Sequence, residues 1–218
     1  MTRQLSLLVV SACAFATLGA DAFGDGAVRT ITGPANRKTG RAVAILGFSL
    51  ASQSTFTRTG STNLSLNSKD PGSIVVGAEV DVDLTPYFSL GGAVSYRPYM
   101  NSSSAEAADR EVSLLVVPRL LGAAGSVVYW AGLGFGLLHT SVGTDKATSP
   151  NWGSSSDSPS SFAWSPRVGV DVDLGNSLLT GGQVIYLSSS GSVTTPSGDK
   201  LEFSRHWAEV AAFVGFRY

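Results

Sequence analysis

The C-terminus of the chain can fold in few ways. Its last residues, Phe213-Val214-Gly215-Phe216-Arg217-Tyr218, alternate in character, and the alternation extends upstream. Val210, Ala212, Val214, Phe216 and Tyr218 fall at every second position, with Glu209 and Arg217 on the opposite parity. A β-strand sends alternate side chains to opposite faces, whereas a helix would scatter this set around its circumference. The segment therefore reads as a strand with one oily face, one charged face and an aromatic ring at its end.

The same period-two pattern recurs upstream, separated by clusters of Gly, Ser, Asn, Asp and Pro. It predicts strands over 42–57, 73–84, 87–99, 111–122, 126–141, 161–174, 177–188 and 202–218. The connections between them alternate in length. Those near Thr85-Pro86, Gly122-Ala123-Ala124-Gly125 and Gly175-Asn176 are tight. Those at 58–72, 100–110, 142–160 and 189–201 are long and rich in Ser, Thr, Gly and Asn. An even number of strands with short and long connections in strict alternation describes an up-and-down antiparallel barrel. A short echo supports the register: Val80-Asp81-Val82-Asp83-Leu84 recurs as Val170-Asp171-Val172-Asp173-Leu174. A Gly pair follows each at equal distance (Gly91-Gly92 and Gly181-Gly182).

Facing is consistent along most strands. Ile74, Val76, Ala78, Val80, Val82 and Leu84 share one face, opposed by Gly77, Glu79, Asp81 and Asp83. Tyr129, Ala131, Leu133, Phe135 and Leu137 oppose Gly132, Gly134 and Gly136. Phe162, Trp164, Val168, Val170, Val172 and Leu174 oppose Arg167, Gly169, Asp171 and Asp173. In the seventh strand the two faces compete, with Leu179, Ile185 and Leu187 against Val184 and Tyr186.

Alternation alone does not say which face is inside, because a soluble lipocalin-like barrel inverts the same pattern. Three features favour lipid outside. The glycines fall mainly on the charged face, where a narrow lumen needs small residues. Rings gather near the ends of the apolar face, with Tyr129, Phe216 and Tyr218 at one rim and Tyr96, Phe162, Trp164 and Tyr186 at the other. The third is the terminal ring itself.

Composition agrees. The 218 residues suit one domain, charged residues make up only 14%, and the formal net charge of −1 gives no reason to expect nucleic acid. No apolar run after the N-terminus reaches the roughly 18 residues that a spanning helix needs. Residues 1–22 read as an export signal: Arg3 is the positive start, Leu5 to Leu18 the apolar stretch. Leu18-Gly19-Ala20 or Ala20-Asp21-Ala22 is the small-residue cleavage site. Cys13, the single cysteine, lies inside that signal. Val10-Ser11-Ala12-Cys13 loosely matches a lipid-acylation box, but the apolar run before it is short and continues beyond it, so ordinary cleavage is the expectation. Residues 23–40 are Gly-rich and read as a flexible periplasmic lead-in, leaving 41–218 for the barrel.

Laid out this way, residues 42–218 resemble the small eight-stranded outer-membrane barrels of the OmpA/OmpX kind. The resemblance rests on the signal, the alternating connections, Tyr129-Trp130-Ala131-Gly132-Leu133-Gly134-Phe135-Gly136 and the terminal Phe216-Arg217-Tyr218. It implies an all-β transmembrane barrel with short periplasmic turns and long external loops, resident in the outer membrane. It also implies recognition of the C-terminal strand by the barrel-assembly machinery. Peptidoglycan anchoring is not implied.

Candidate chemistry is sparse. Lumen-facing acids are Glu79, Asp81, Asp83, Asp171, Asp173 and Glu209, and lumen-facing bases are Arg97, Arg119, Arg167 and Arg217. Alternate residues on one strand face stand about 6.5–7 Å apart, so Asp81 and Asp83 do not chelate a metal compactly by themselves. Paired charges filling a narrow barrel are the expectation. His139-Thr140-Ser141 resembles the His-x-Ser core of the outer-membrane lipid A deacylases, which belongs near the end of the penultimate strand. There this chain has Tyr186-Leu187-Ser188, without an imidazole to act as base. His139 and His206 fall by register on the apolar face, as interfacial anchors. Trp152 stands in a long loop as a contact or a lid over the barrel mouth. Asn63-Leu64-Ser65 and Asn101-Ser102-Ser103 are chance-level sequons.

The expected function is thus a non-enzymatic integral outer-membrane protein, structural or surface-interactive through Ser/Thr-rich external loops. A narrow channel for small or apolar solutes and a lipid A-modifying enzyme are the alternatives. No catalytic, cofactor-binding or metal-binding residue is assigned, and no cofactor is expected. The expected partners are outer-membrane lipid and lipopolysaccharide, around a monomer.

Overall fold

The computed structural model describes residues 39–50, 52–60, 64–70, 72–98, 110–141, 160–194, 198 and 200–218. The export signal, most of the lead-in, Trp152, Asn63 and Asn101 lie outside those residues. Ten strand segments are formed: β1 (Gly40–Ser49), β2 (Ser52–Thr59), β3 (Leu64–Asp70), β4 (Ser73–Thr85), β5 (Phe88–Pro98), β6 (Arg110–Ala124), β7 (Val127–Ser141), β8 (Ser160–Gly175), β9 (Leu178–Thr194) and β10 (Lys200–Arg217).

They make eight staves. β1 lies between β10 and β4, and β2 lies between β10 and β3, so β2 and β3 continue β1 and β4 upward. Every pairing around the ring is antiparallel, and β1 closes on β10 from Arg41↔Arg217 to Ser49↔Glu209. Following the register once around from Val43, through Glu79, Ala93, Leu115, Gly136, Ala163, Ser189 and Arg205, returns to the first stave at Ser54. That stagger, from 43 to 54, is eleven residues and fits a narrow, tilted barrel whose lumen side chains can fill.

The sequence pattern places a long connection at 58–72, but β2 runs to Thr59 and β3 resumes at Leu64. Similarly, β9 continues to Thr194 and β10 starts at Lys200, which narrows the connection expected at 189–201. These segments carry few apolar residues, so little alternation marks them. The ladders Arg205↔Ser54 to Lys200↔Thr59 and Arg58↔Leu64 to Ser52↔Asp70 hold them instead. At the other end the turns are tight. Asn176 (φ 52°) and Ser177 (φ 72°) both take positive φ, as a two-residue hairpin of the favoured twist requires. β6 continues through Gly122 to Ala124, so the turn falls at Gly125-Ser126, and Gly125 has φ 64°.

The internal echo has a structural cause. Asp81 pairs directly with Gly91 and Asp171 with Gly181; Val80 meets Gly92 and Val170 meets Gly182. Each hairpin then shifts register before its turn, between Asp83 and Thr85 and between Asp173 and Gly175.

Two prolines sit within the wall. The β6–β7 ladder runs to Val116↔Phe135 and resumes at Arg119↔Gly132, a gap spanning Pro118. The β8–β9 ladder breaks in the same way across Pro166, between Trp164↔Ser188 and Arg167↔Ile185. A proline has no N–H to give the ladder, so each seam loses a rung. Amide hydrogen exchange should therefore be faster at Leu133, whose N–H faces the gap in the β6 seam, than at Leu137, which faces the same seam where it is intact. Pro118→Val should slow it, whereas uniform protection along β7 would contradict the broken seam.

The outer face is apolar over a belt. On β10, Tyr218, Phe216, Val214, Ala212 and Val210 are all exposed. From Tyr218 to Val210 there are eight residue steps of about 3.3 Å, which at a tilt of about 40° make a belt about 20 Å tall, close to the roughly 25 Å apolar band of such barrels. Val80 is 50% exposed while neighbouring Glu79 and Asp81 are 1% and 2% exposed, so the oily side faces out. A lipocalin-like inversion is thereby ruled out. The seventh-strand ambiguity also resolves: Val184 faces out, while Leu179, Ile185 and Leu187 are buried in the lumen.

Candidate functional site

The lumen is filled at two levels. The lower one gathers around Arg41, a residue whose role the sequence pattern did not reveal. Arg41 Nε donates to Asp81 Oδ2 at 2.8 Å, Nη1 to Asp171 Oδ1 at 2.7 Å and Nη2 to Glu79 Oε1 at 3.1 Å. The two aspartates of the internal echo thus converge on one guanidinium from different walls. Arg119 Nη1 donates to Asp81 Oδ2 at 2.7 Å and also pairs with Glu79. Arg167 Nη1 reaches Glu79 Oε2 at 3.3 Å. Arg217 bridges Asp171 Oδ2 at 3.1 Å and Asp173 Oδ2 at 3.4 Å.

Aromatic rings finish this layer. Trp130 Nε1 donates to Asp171 Oδ1 at 2.8 Å. Its ring lies 5.2 Å from the Arg41 guanidinium carbon and 4.3 Å from that of Arg119. Phe213 lies 5.3 Å from Arg41 on another side. A guanidinium suits this place because it offers five donors in a plane and stacks on rings, so one cation can satisfy three carboxylates. Every charge buried here has an opposite charge within reach, as a low-dielectric interior demands.

The upper level is smaller. Arg97 Nη2 stands 3.2 Å from Glu111 Oε2 and its guanidinium lies 4.0 Å over Trp207. Arg205 also pairs with Glu111 and donates to Thr140 Oγ1 at 3.3 Å. Between the two levels the walls carry Ala93, Leu115, Val117, Leu187 and Ala163, with the hydroxyl pair Ser95 and Ser113 at 2.6 Å.

The lumen glycines have a specific use here. Directly paired residues put an inward ring over a glycine in the next strand: Trp130 over Gly169, Phe213 over Gly181 and Phe203 over Gly191. Any Cβ at Gly169 would fall 2.3 Å from the Trp130 ring.

The sequence-derived lumen set is thus largely assembled: Glu79, Asp81, Asp171, Glu209, Arg97, Arg119, Arg167 and Arg217 are all buried. Asp83 is half-buried and Asp173 exposed near the lower mouth. Arg41, Glu111, Arg205, Trp130, Trp207 and Phe213 were not singled out by the pattern. Asp81 is committed to Arg41 and Arg119. Among the described residues no group of three His, Cys, Asp or Glu is placed to hold a metal ion.

The histidines lie elsewhere. His139 is exposed on the outer face, its Nδ1 3.0 Å from Ser160 Oγ. His206 faces the same way on β10, its Nε2 3.1 Å from Gln53 Oε1. Among the described residues neither contacts a carboxylate that could orient it as a base. Its neighbours are rings: Tyr186 lies 6.4 Å from His206, and Trp164 lies 6.0 Å from Tyr186 edge-on.

Among solved structures, the outer membrane protein OprG from Pseudomonas aeruginosa superposes with a TM-score of 0.56 at 14% identity, covering 84% of this chain and 98% of that one. The fold is that of the small eight-stranded outer-membrane barrels. Neisserial surface protein A shares 11% identity over 81% of this chain and 99% of its own, with a TM-score of 0.46. Ail, the attachment invasion locus protein of Yersinia pestis, shares 13% over 80% and 99%, with a TM-score of 0.38. No family model and no curated protein sequence matches the chain. At these identities the likeness concerns the barrel alone, and function must be argued from this chain's own residues.

Proposed function

We propose that the protein is a non-enzymatic integral component of the bacterial outer membrane. It would be exported by the segment 1–22 and inserted through its C-terminal strand. The barrel acts as a closed scaffold, and contact with the surroundings is made by the polar surface above the lipid belt. One observation carries this reading: the Arg41 hub, in which Asp81, Asp171 and Glu79 meet one guanidinium inside the barrel. An open water path would instead require those charges to stand apart and hydrated. Closing the ring also satisfies the backbone within lipid, since β1 pairs with both β4 and β10 and leaves no strand edge at that level.

The test is conductance. Purified, heat-modifiable protein in planar bilayers should show no steady ion current above the bare membrane. Reproducible unitary steps from the wild-type protein would overturn the closed-scaffold reading and favour a narrow channel.

A further inference from the structure

We infer that the outer face of β2, β9 and β10, just above the lipid belt, seats the sugar headgroup of an outer-leaflet glycolipid. The inference rests on the membrane reading above and adds a place and a ligand class to it. β9 and β10, at 17 and 18 residues, are longer than the roughly 9–11 a tilted strand needs to cross a bilayer. Their upper parts, with β2, form a sheet beyond the hydrocarbon.

On its outward face the register sets polar side chains in rows across three strands. Gln53, His206 and Ser188 make the lowest row; Thr55, Ser204 and Ser190 the next; Thr57, Glu202 and Ser192 the third. A groove of about 440 Å³ follows the upper two rows, floored by Gly191 and Phe203. Its volume lies within the roughly 300–1,000 Å³ of small-molecule sites. Charge there is limited: Lys200 Nζ pairs with Glu202 Oε1 at 2.5 Å.

Three features name the occupant. His206 of the lowest row, Trp164 beside Ser188 at the same level and Tyr186 one step below are packed ring against ring, at the level where amphipathic rings mark a membrane interface. The groove is continuous with the lipid-facing belt through Ala208 and Val210 on β10, so a molecule whose acyl chains cover the belt has its head at the groove. The row chemistry, six hydroxyls with one amide, one imidazole and one carboxylate, both donates and accepts, which matches a sugar better than a phosphate or choline alone. A ring beside such groups offers the apolar face of a pyranose a surface.

The experiment uses the full protein extracted from outer membranes in mild detergent and weighed intact with its bound lipid. The variant Thr55→Val/Ser190→Ala/Ser204→Ala removes three hydroxyls, and Thr85→Ala removes one at the opposite rim. Heat-modifiable migration on gels confirms that each is folded. Wild type and Thr85→Ala should retain lipopolysaccharide, while the triple variant should retain at least about fivefold less, the loss expected from even one net hydrogen bond. Added phosphatidylglycerol should not replace the glycolipid. Equal retention by the triple variant, equal exchange with phosphatidylglycerol, or a second copy of the chain in place of lipid would each overturn the inference. None of these outcomes bears on conductance, which tests the closed scaffold separately.

Discussion

Replacing Arg41 with alanine should destabilise the folded barrel by about 3–5 kcal/mol, the cost of leaving buried charges without their partner. The effect is large because Arg41 is shared: Asp81, Asp171 and Glu79 all lose a donor at once. Arg119, Arg167 and Arg217 still reach these carboxylates, so the loss falls short of three separate broken pairs. Trp130 and Phe213 would also lose the cation between their rings. Arg41→Lys should recover only part, because an ammonium cannot address three carboxylates in one plane. Equilibrium unfolding in urea from lipid vesicles measures this, with Arg110→Ala on the exposed rim as a comparison within about 0.5 kcal/mol of wild type. An Arg41→Ala barrel as stable as Arg110→Ala would show that the hub does not hold the lumen together.

The second large effect is steric. Gly169→Val should cost about 3 kcal/mol, at the upper end of overpacking penalties, and slow insertion into vesicles. A Cβ at Gly169 would meet the Trp130 ring at 2.3 Å and 2.6 Å, and the Gly182 carbonyl oxygen at 2.9 Å. Trp130 cannot retreat without giving up its hydrogen bond to Asp171 and its place beside Arg119. Gly92, by contrast, faces outward, and a Cβ there meets nothing within 4 Å. Gly92→Val should fold like wild type. Equal folding yields for the two valine variants, scored by heat-modifiability, would remove the ring-over-glycine packing from the account.

The faces of the barrel were legible in the sequence because lipid and lumen impose opposite chemistries on alternate residues. Ile74 to Leu84 and Tyr129 to Leu137 all fall where their period places them. The buried charges were legible where they interrupt an apolar strand, as at Glu79, Asp81 and Arg167. Arg41 was not, since it stands at the boundary of a Gly-rich, charged lead-in, where one more arginine carries no signal. Asp81 and Glu79 stand on the adjacent β4, where Asp81 pairs directly with Arg41, and only closure of the ring adds Asp171 from β8. Most of β2 fell within the strand expected at 42–57, whereas β3 stayed hidden in the connection expected at 58–72, because its short polar run, Ser65 and Asn67 to Asp70 around two leucines, carries little alternation. The seventh strand was ambiguous because the lumen is not uniformly polar. Leu179 packs inside with Phe213, Leu187 with Trp207 and Leu115, and Ile185 is buried as well, which blurs the contrast on which periodicity depends.

The central claim is the orientation of the two faces. Single cysteines carrying a fluorophore at Val80, Leu133 and Val210, in protein folded into vesicles, report it directly, with Ala93 and Ser165 as inward-facing counterparts. Brominated acyl chains should quench the first three strongly and the last two hardly at all. Strong quenching at Ala93 and Ser165, with Val80, Leu133 and Val210 reached only by aqueous iodide, would mean that the wall is inside out.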